Sequence, residues 1–475
     1  MLIKKTRLLY SSKLLNSIIV KAKKQIFSIF RLSNLIFNVM KKVILNKIYR
    51  FFIPLIVIIL LVGNNFNAEA TTFQQEDSQQ NTQSYTEFKG IIIDSNTKAP
   101  LAFADLTVNS TNIRTVANRE GRFLLKVPNN LLDKMLTVSF LGYKTQEVLL
   151  KDLKNKNNKI ALNISITELT QVRINIPKNA ETLVRATLDR EGNNYYNEPA
   201  IMTAFYRETI KKRNKNASLS EAVVKIYKQP YNSEKKDAIK LIKSRKNSNY
   251  SKLDTLAIKL QGGPFSTLYS DIIKYPEYIF AEDTFQYYDF SFEPSTQINN
   301  RKVYVVRFKQ QPNVVSSLYD GKLFIDSETF ALTSAEYKLN IENEKQAMDL
   351  FLRKKPRKVK ISLIEALYRV DYQTKNGKWY YTYSNIQLAF KVKWKKKLFS
   401  STYTLNIEMA ITDWEKNTTG IMKPKNSLKP TIILGDEASG FSDPEFWGKY
   451  NIIEPEKSIE SAIKKIIKQL KKVKP

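Results

Sequence analysis

The sequence has 475 residues, with 77 Lys and Arg against 45 Asp and Glu, so its formal net charge is +32. It contains no histidine and no cysteine. These absences exclude Ser-His-Asp and Cys-His catalysis, disulfides, and zinc sites built from His or Cys. Carboxylate or lysine chemistry and oxygen-ligated metals remain open. The length allows two or three domains, which must be stabilised by their hydrophobic cores alone.

The positive charge is spread along the whole chain. Residues 1–70 hold 12 basic residues and a single acid, Glu69. A basic chain can bind nucleic acid or anionic surfaces. Because no nucleic-acid-binding motif occurs, we expect solvated surface lysines and no nucleic-acid partner.

The N-terminal region predicts export. Basic residues after Met40 precede an apolar run of 12 residues from Phe51 to Val62, and a polar stretch then ends in Ala68-Glu69-Ala70. This order is typical of a secretory signal peptide, here residues 40–70, cleaved after Ala70. The run is shorter than the roughly 20 residues of a spanning helix, so we expect no spanning helix in the mature chain. An uncleaved N-terminal anchor is the alternative.

The segments on either side of the predicted signal are not expected to form domains. Residues 1–39 are either a basic N-terminal extension or an upstream start ahead of the true Met40. Residues 71–87 are rich in Gln, Ser and Thr, which predicts a disordered linker.

Residues 88–176 show the pattern of a small antiparallel β-sandwich. Short alternating apolar runs are separated by turn residues, which is typical of strands in such a fold. The runs are Gly90–Asp94, Ala104–Val108, Gly121–Val127, Met135–Phe140, Thr145–Leu150 and Ile160–Ile166, with an exit strand from Glu168 to Ile176.

The turn residues of this region also resemble a known family. The matching residues are Gly90, Asp94, Pro100-Leu101, Ala104, Gly121, Phe123 and Gly142-Tyr143. They are similar to carboxypeptidase-regulatory-like domains, although Ala117-Asn118 stands where the family usually has Thr-Asp. The resemblance implies a prealbumin-like β-sandwich, a non-catalytic module without peptidase activity. It also implies a cell-envelope protein of the Bacteroidetes type, located in the periplasm or at the outer membrane.

Residues 180–415 predict a larger α+β domain on a curved antiparallel sheet, which makes the chain mainly β. Short helices are expected at 181–190 and 265–273, and Asn376-Gly377 predicts a hairpin turn. The predicted strands, rich in Tyr, Phe, Val and Ile, are Met202–Ile210, Ala217–Tyr227, Phe285–Phe292, Lys302–Phe308, Gly321–Ile325, Ala331–Leu339, Val359–Tyr372, Trp379–Trp394 and Leu398–Ile411. The segment from Tyr319 to Thr333 resembles a hairpin of lipoprotein-carrier-type sheets, which implies a face that holds a lipid or a partner.

Residues 416–475 form a distinct tail. Aromatic residues lie between Asp443 and Asn451, and a helix is predicted from about Glu456. Its apolar stripe comprises Ile459, Ile463, Ile466, Ile467 and Leu470. The helix either binds a membrane surface or a partner, or docks on its own domain with Pro455 at its first turn.

Three functional hypotheses follow. The first is an exported, non-catalytic envelope protein whose sandwich is an adaptor or binding module joined to a docking or ligand-holding sheet. The second is a glycan- or lipid-binding protein that uses the aromatic residues Trp379, Tyr381, Tyr383 and Trp394 as candidate ligand contacts. No catalytic set, cofactor site or metal site is expected under either hypothesis.

The third hypothesis is a carboxylate-dependent hydrolase that uses Asp320 and Asp326 as a pair. Carboxylates in this position more often form turns. With no histidine, no cysteine and no credible catalytic set, we expect the chain not to be an enzyme. The identity of the partner or ligand and the oligomeric state stay open.

Overall fold

The computed structural model describes residues 84–165, 179–213, 215–248, 262–351, 359–395, 398–434, 446–459 and 461. The predicted signal, the extension before it, the exit strand after residue 166 and the helical stripe beyond Ile459 lie outside these residues. In the described ranges, no helix is both long and apolar enough to cross a membrane. The predicted mainly β fold is confirmed.

The predicted N-terminal sandwich is confirmed as two sheets, ordered β4-β1-β7 and β3-β2-β5-β6. Its strands are β1 (Tyr85–Asp94), β2 (Asp105–Val108), β3 (Arg114–Val116), β4 (Arg122–Pro128), β5 (Met135–Ser139), β6 (Gln146–Leu149) and β7 (Asn158–Leu162). Phe88, Ile92, Leu106 and Phe123 are buried between the sheets. The predicted linker is wrong at its end, because residues 85–87 pair with β4.

The family-like residues stand at close approaches and turns of the sandwich. A Cβ at Gly90 would clash with the backbone carbonyl of Asn158, and Gly121 has a φ of +69° that favours glycine. Asp94 accepts hydrogen bonds of 2.7 Å from the Thr97 N–H and the Tyr143 hydroxyl. The Tyr143 bond and the backbone N–H groups lower the pKa of Asp94 to about 2.

The larger domain is one ten-stranded antiparallel sheet, ordered β10-β9-β8-β17-β16-β15-β14-β13-β12-β11. Its strands are β8 (Ala200–Lys212), β9 (Lys215–Lys228), β10 (Ala238–Ser248), β11 (Tyr288–Ile298), β12 (Arg301–Gln310), β13 (Tyr319–Asp326), β14 (Leu332–Leu339), β15 (Val359–Lys375), β16 (Lys378–Trp394) and β17 (Ser401–Lys416). Its helices are α1 (Ala180–Asp189), α2 (Glu191–Asn194), α3 (Pro264–Leu268), α4 (Glu282–Phe285) and α5 (Glu344–Asp349).

Several predicted boundaries differ from the structure. The helix expected over 265–273 ends at Leu268, and Phe285 lies in α4 rather than in the following strand. Leu398 precedes β17 instead of starting it. Sequence reasoning missed β10, whose many basic and polar residues hide its strand character, as is common at a sheet edge.

One face of the sheet is covered, and the opposite face is covered only in part. Helix α1 and the chain from 262 to 287, which includes α3, cover one face, called the inner face, over the largest hydrophobic core. The sandwich and residues 446–459, called the strap, cover part of the opposite, outer face. Sandwich, sheet and strap belong to one compact unit, Gln83–Pro475.

The strap is fastened between the sandwich and the sheet. Trp447, Ile452 and Ile453 are buried there. The Asn451 side chain accepts from the Lys126 N–H at 2.7 Å and donates to the Lys126 carbonyl at 3.0 Å, as a neighbouring strand would. This described part of the tail therefore docks on its own chain.

Asn451→Ala should lower the free energy of unfolding by about 2–4 kcal/mol. The reason is that the buried N–H and C=O groups of Lys126 each lose the hydrogen bond that Asn451 supplies. Urea denaturation measures this change, and Asn96→Ala on an exposed turn is the control, expected to change stability by less than about 0.5 kcal/mol. Equal effects of the two variants would contradict the role assigned to Asn451.

Tyr143→Phe should lower stability at pH 7 and weaken the loss of stability in acid. Asp94 has a folded pKa of about 2 against an ordinary value of 3.8. Its contribution is therefore present above pH 3.8 and is lost as the pH falls towards 2. Without the hydroxyl, that pKa moves towards its ordinary value. Melting temperatures from pH 7 to 2 test this against Tyr85→Phe, and identical acid slopes would refute it.

Candidate functional site

A single row of polar residues crosses the outer face of the sheet. Successive members are direct cross-strand partners, so their side chains lie next to one another on one face. From β12 to β10, the row comprises Arg307, Lys322, Glu336, Arg369, Asn385, Glu408, Arg207, Glu221 and Arg245. We call it the polar row; one end is buried and the other is open.

The buried end of the polar row is a closed ion network. Arg207 donates to Glu221 at 2.8 Å and to Glu408 at 3.2 Å, and Arg245 donates to Glu221 at 2.8 Å. Burial alone would raise the pKa of Glu221, but the two guanidinium groups hold it below its usual value. Arg207 also donates to the Ile453 carbonyl at 2.7 Å, so this network fastens the strap.

Arginines of the sandwich fix it to the sheet. The buried Arg114 donates to the carbonyls of Thr382 at 3.0 Å and Ile411 at 3.3 Å, and its charge is paired with Asp105. Arg122 donates to the Pro455 carbonyl of the strap at 2.6 Å. Three elements distant in sequence are thus held in one arrangement.

The open end of the polar row lies in a groove of about 840 Å³, walled by the sheet and by Phe103 of the sandwich. We call it the interface groove. Its charged lining residues are Arg307, Lys309, Lys322, Lys338 and Arg369 against Glu293, Asp320, Glu336 and Glu342. Lys322 pairs with Glu293 at 2.6 Å, and Arg369 pairs with Glu336 at 3.1 Å. The groove is therefore nearly neutral but dense in hydrogen-bond donors and acceptors.

Phe103 holds an uncommon backbone conformation at the wall of this groove. Its φ is +66°, a region that bulky residues rarely adopt. Its ring stacks on Tyr383 with centroids 5.5 Å apart, and the Arg369 guanidinium lies 5.7 Å from it. Such strain persists only where surrounding contacts fix it, and it concentrates at functional sites.

The structure does not bring the four predicted ligand-contact aromatics together on one open surface. Trp379 and Tyr381 are buried in the inner core, and Trp394 packs against its edge. Tyr383 is buried on the outer face beneath Phe103. A bulge in the β15–β16 pairing separates Tyr381 from Tyr383. Contact of any of the four with a ligand stays a prediction.

A second charged cluster is enclosed in the inner core. The Lys228 ammonium donates to Asp237 and Asp271, both at 2.8 Å, and the hydroxyls of Tyr231 and Tyr372 donate to Asp271 at 3.0 Å. Burial alone would lower the pKa of Lys228, but the two carboxylates raise it. With its charged groups buried, the cluster ties the chain around Asp271 to the sheet. No spacing of these residues in the sequence predicted the cluster.

Asp320 and Asp326 do not form the carboxylate pair of the hydrolase hypothesis. They lie six residues apart on β13, which separates them by about 20 Å, whereas glycosidase carboxyl groups lie within about 10 Å. Asp326 accepts from Arg301 at 3.0 Å and from the Thr329 N–H at 2.8 Å. Asp320 accepts from the Gln310 N–H at 2.9 Å. Both carboxylates support hairpins.

Sequence reasoning missed the polar row and the interface groove. Each of the nine strands contributes one residue to the row, so no local spacing marks it. The sequence does place a polar residue near the middle of each successive strand. This pattern predicts a row only when the strand register is known, because the register decides which residues are neighbours.

Residues 88–174 match the family described as the CarboxypepD_reg-like domain. This match confirms the resemblance drawn from the turn residues of the sandwich. No curated protein is significantly similar to the chain.

Three solved structures are distantly similar to half of the chain. They are a DUF1329 family protein from Desulfovibrio piger (10% identity, 92% of that chain covered, TM-score 0.22), a LolA superfamily protein from Nitrosomonas europaea (9%, 94%, 0.19) and MucB (8%, 98%, 0.16), each over 50% of this chain. Such low scores assign neither fold nor function.

Arg207→Met should lower the free energy of unfolding by about 3–5 kcal/mol, because Glu221 and Glu408 lose a buried cationic partner. Arg307→Met, at the exposed end of the same row, is the matched control and should change it by less than about 0.5 kcal/mol. Chemical denaturation compares the two. Similar small effects in both variants would contradict the structural role of the buried end.

Proposed function

We propose that the chain is an exported, non-catalytic binding protein of the bacterial cell envelope, and that its ligand lies in the interface groove. The observation that supports this best is the groove itself, about 840 Å³ at the junction of sandwich and sheet. Ligand sites occur preferentially at such junctions. Because Arg114 and the strap fix the sandwich, the groove is preformed, which reduces the entropic cost of binding.

The groove lining favours a polar ligand such as an oligosaccharide over a lipid. The Gln387 side-chain amide donates to Asn385 at 2.9 Å and still carries a second N–H and an acceptor oxygen, and both signs of charge are present around it. Leu367 and the Phe103 ring are apolar members of the same wall. An acyl chain would leave the many charged groups of this lining without compensation. The sandwich then serves as one wall of the site, which is an adaptor role.

The absence of catalysis is part of the proposal. The chain has no histidine or cysteine. The carboxylates at the buried end of the polar row and in the inner core are committed to ion pairs with Arg207, Arg245 and Lys228. A catalytic carboxylate needs access to its substrate, which these groups lack. The predicted signal at 40–70 supports export.

Gln387→Trp should abolish ligand-induced stabilisation, because an indole on the groove floor fills the space that a sugar needs. In the full chain, an oligosaccharide at about 100 times its dissociation constant should add roughly 2.7 kcal/mol of stability. Thermal denaturation with a panel of neutral and acidic oligosaccharides measures this effect.

Lys159→Trp, on an exposed strand position of the sandwich, is the control and should keep the ligand response. Loss of the response in both variants, or its persistence in Gln387→Trp, would show that the ligand lies elsewhere. No stabilisation by any oligosaccharide would refute the proposed ligand class.

A further inference from the structure

One end of the large sheet gathers several strand ends from distant parts of the chain. The start of β15 pairs with the end of β16 at Val359 and Trp394, and β16 pairs with the start of β17 at Val392 and Ser401. The β8–β9 hairpin joins them through the pairing of β17 with Lys212. We call this the basic end of the sheet.

The basic end concentrates exposed cations. The described residues within 211–216, 359–364 and 391–403 include no acid. The exposed cations are Arg213, Lys215, Lys360, Lys391, Lys393 and Lys395. Glu456 of the strap pairs with Lys211, at the edge, with 3.3 Å between the charged groups, and also with Arg119 of the sandwich.

Two of these cations are placed directly opposite each other. Lys360 on β15 is the cross-strand partner of Lys393 on β16, and both side chains are exposed. Like charges in such pairs destabilise a sheet. An arrangement that opposes folding is consistent with a site that an external anion neutralises.

Apolar side chains project from the same end. Leu398 is 90% exposed and Phe399 is 78% exposed, just before β17. Ser400 follows Phe399, and its carbonyl accepts a hydrogen bond of 3.2 Å from Arg213. This bond places a cation beside Leu398 and Phe399. Neighbouring exposed large hydrophobic residues bordered by cations are typical of a surface that enters the lipid headgroup region.

We propose that the basic end docks on an anionic phospholipid bilayer, with Leu398 and Phe399 inserted and the lysines on the headgroups. Each lysine near an anionic surface strengthens binding by about fivefold. A soluble polyanion would use the cations but would leave both apolar side chains in water. The proposal is independent of the interface groove, because none of its residues lines that groove.

The absence of cysteine makes a local test direct. Leu398→Cys in the full chain carries the only thiol, so an environment-sensitive fluorophore reports on this position alone. Vesicles of phosphatidylcholine with phosphatidylglycerol should shift its emission to the blue, and 1 M salt should weaken the effect. Adding Lys360→Glu and Lys393→Glu should reduce the vesicle affinity by more than about tenfold.

Glu328→Cys with the same fluorophore is the matched control at the opposite end of the sheet and should show no shift. Equal shifts at both positions, or an unchanged shift on pure phosphatidylcholine, would overturn the proposal. So would a silent label at position 398 while the protein sediments with vesicles, because contact would then occur elsewhere. A shift with dextran sulfate and none with vesicles would assign the surface to a soluble polyanion instead.

Discussion

The buried half of the polar row is the interaction on which the arrangement of this protein depends. Arg207 joins Glu221, Glu408 and the carbonyl of Ile453, and thereby links three strands to the strap. Charges removed from water are costly unless nearly every donor and acceptor is paired. The network therefore tolerates little displacement, and it specifies where the strap crosses the sheet.

The position of the strap determines the position of the sandwich. Asn451 completes the backbone bonding of Lys126, and Arg122 donates to the strap carbonyl of Pro455. The sandwich leaves the far half of the polar row uncovered, and this uncovered half is the floor of the interface groove. The same row of alternating charges thus acts as a structural core where it is buried and as a binding surface where it is open. Only the amount of covering chain differs between the two ends.

Local patterns predicted elements well where the physical cause is local. Gly90 and Gly121 mark close approaches, and Asp94 with Tyr143 marks a turn that one hydrogen bond closes. The prediction of ligand-facing aromatics was less informative, because alternation along β16 does not reveal the bulge that separates Tyr381 from Tyr383. The edge strand β10 was missed because solvent exposure removes the apolar alternation that identifies strands.

The sequence by itself determined the mainly β class, the sandwich and its family resemblance. It also excluded the chemistry that depends on histidine and cysteine. These conclusions depend on residue types and on short spacings. Only the tertiary structure decided that Arg207, Glu221 and Glu408 meet, that the strap passes beneath the sandwich, and that Lys360 faces Lys393. Those contacts join residues up to 337 positions apart. They depend on strand register, in which a shift of one residue moves every side chain to the other face.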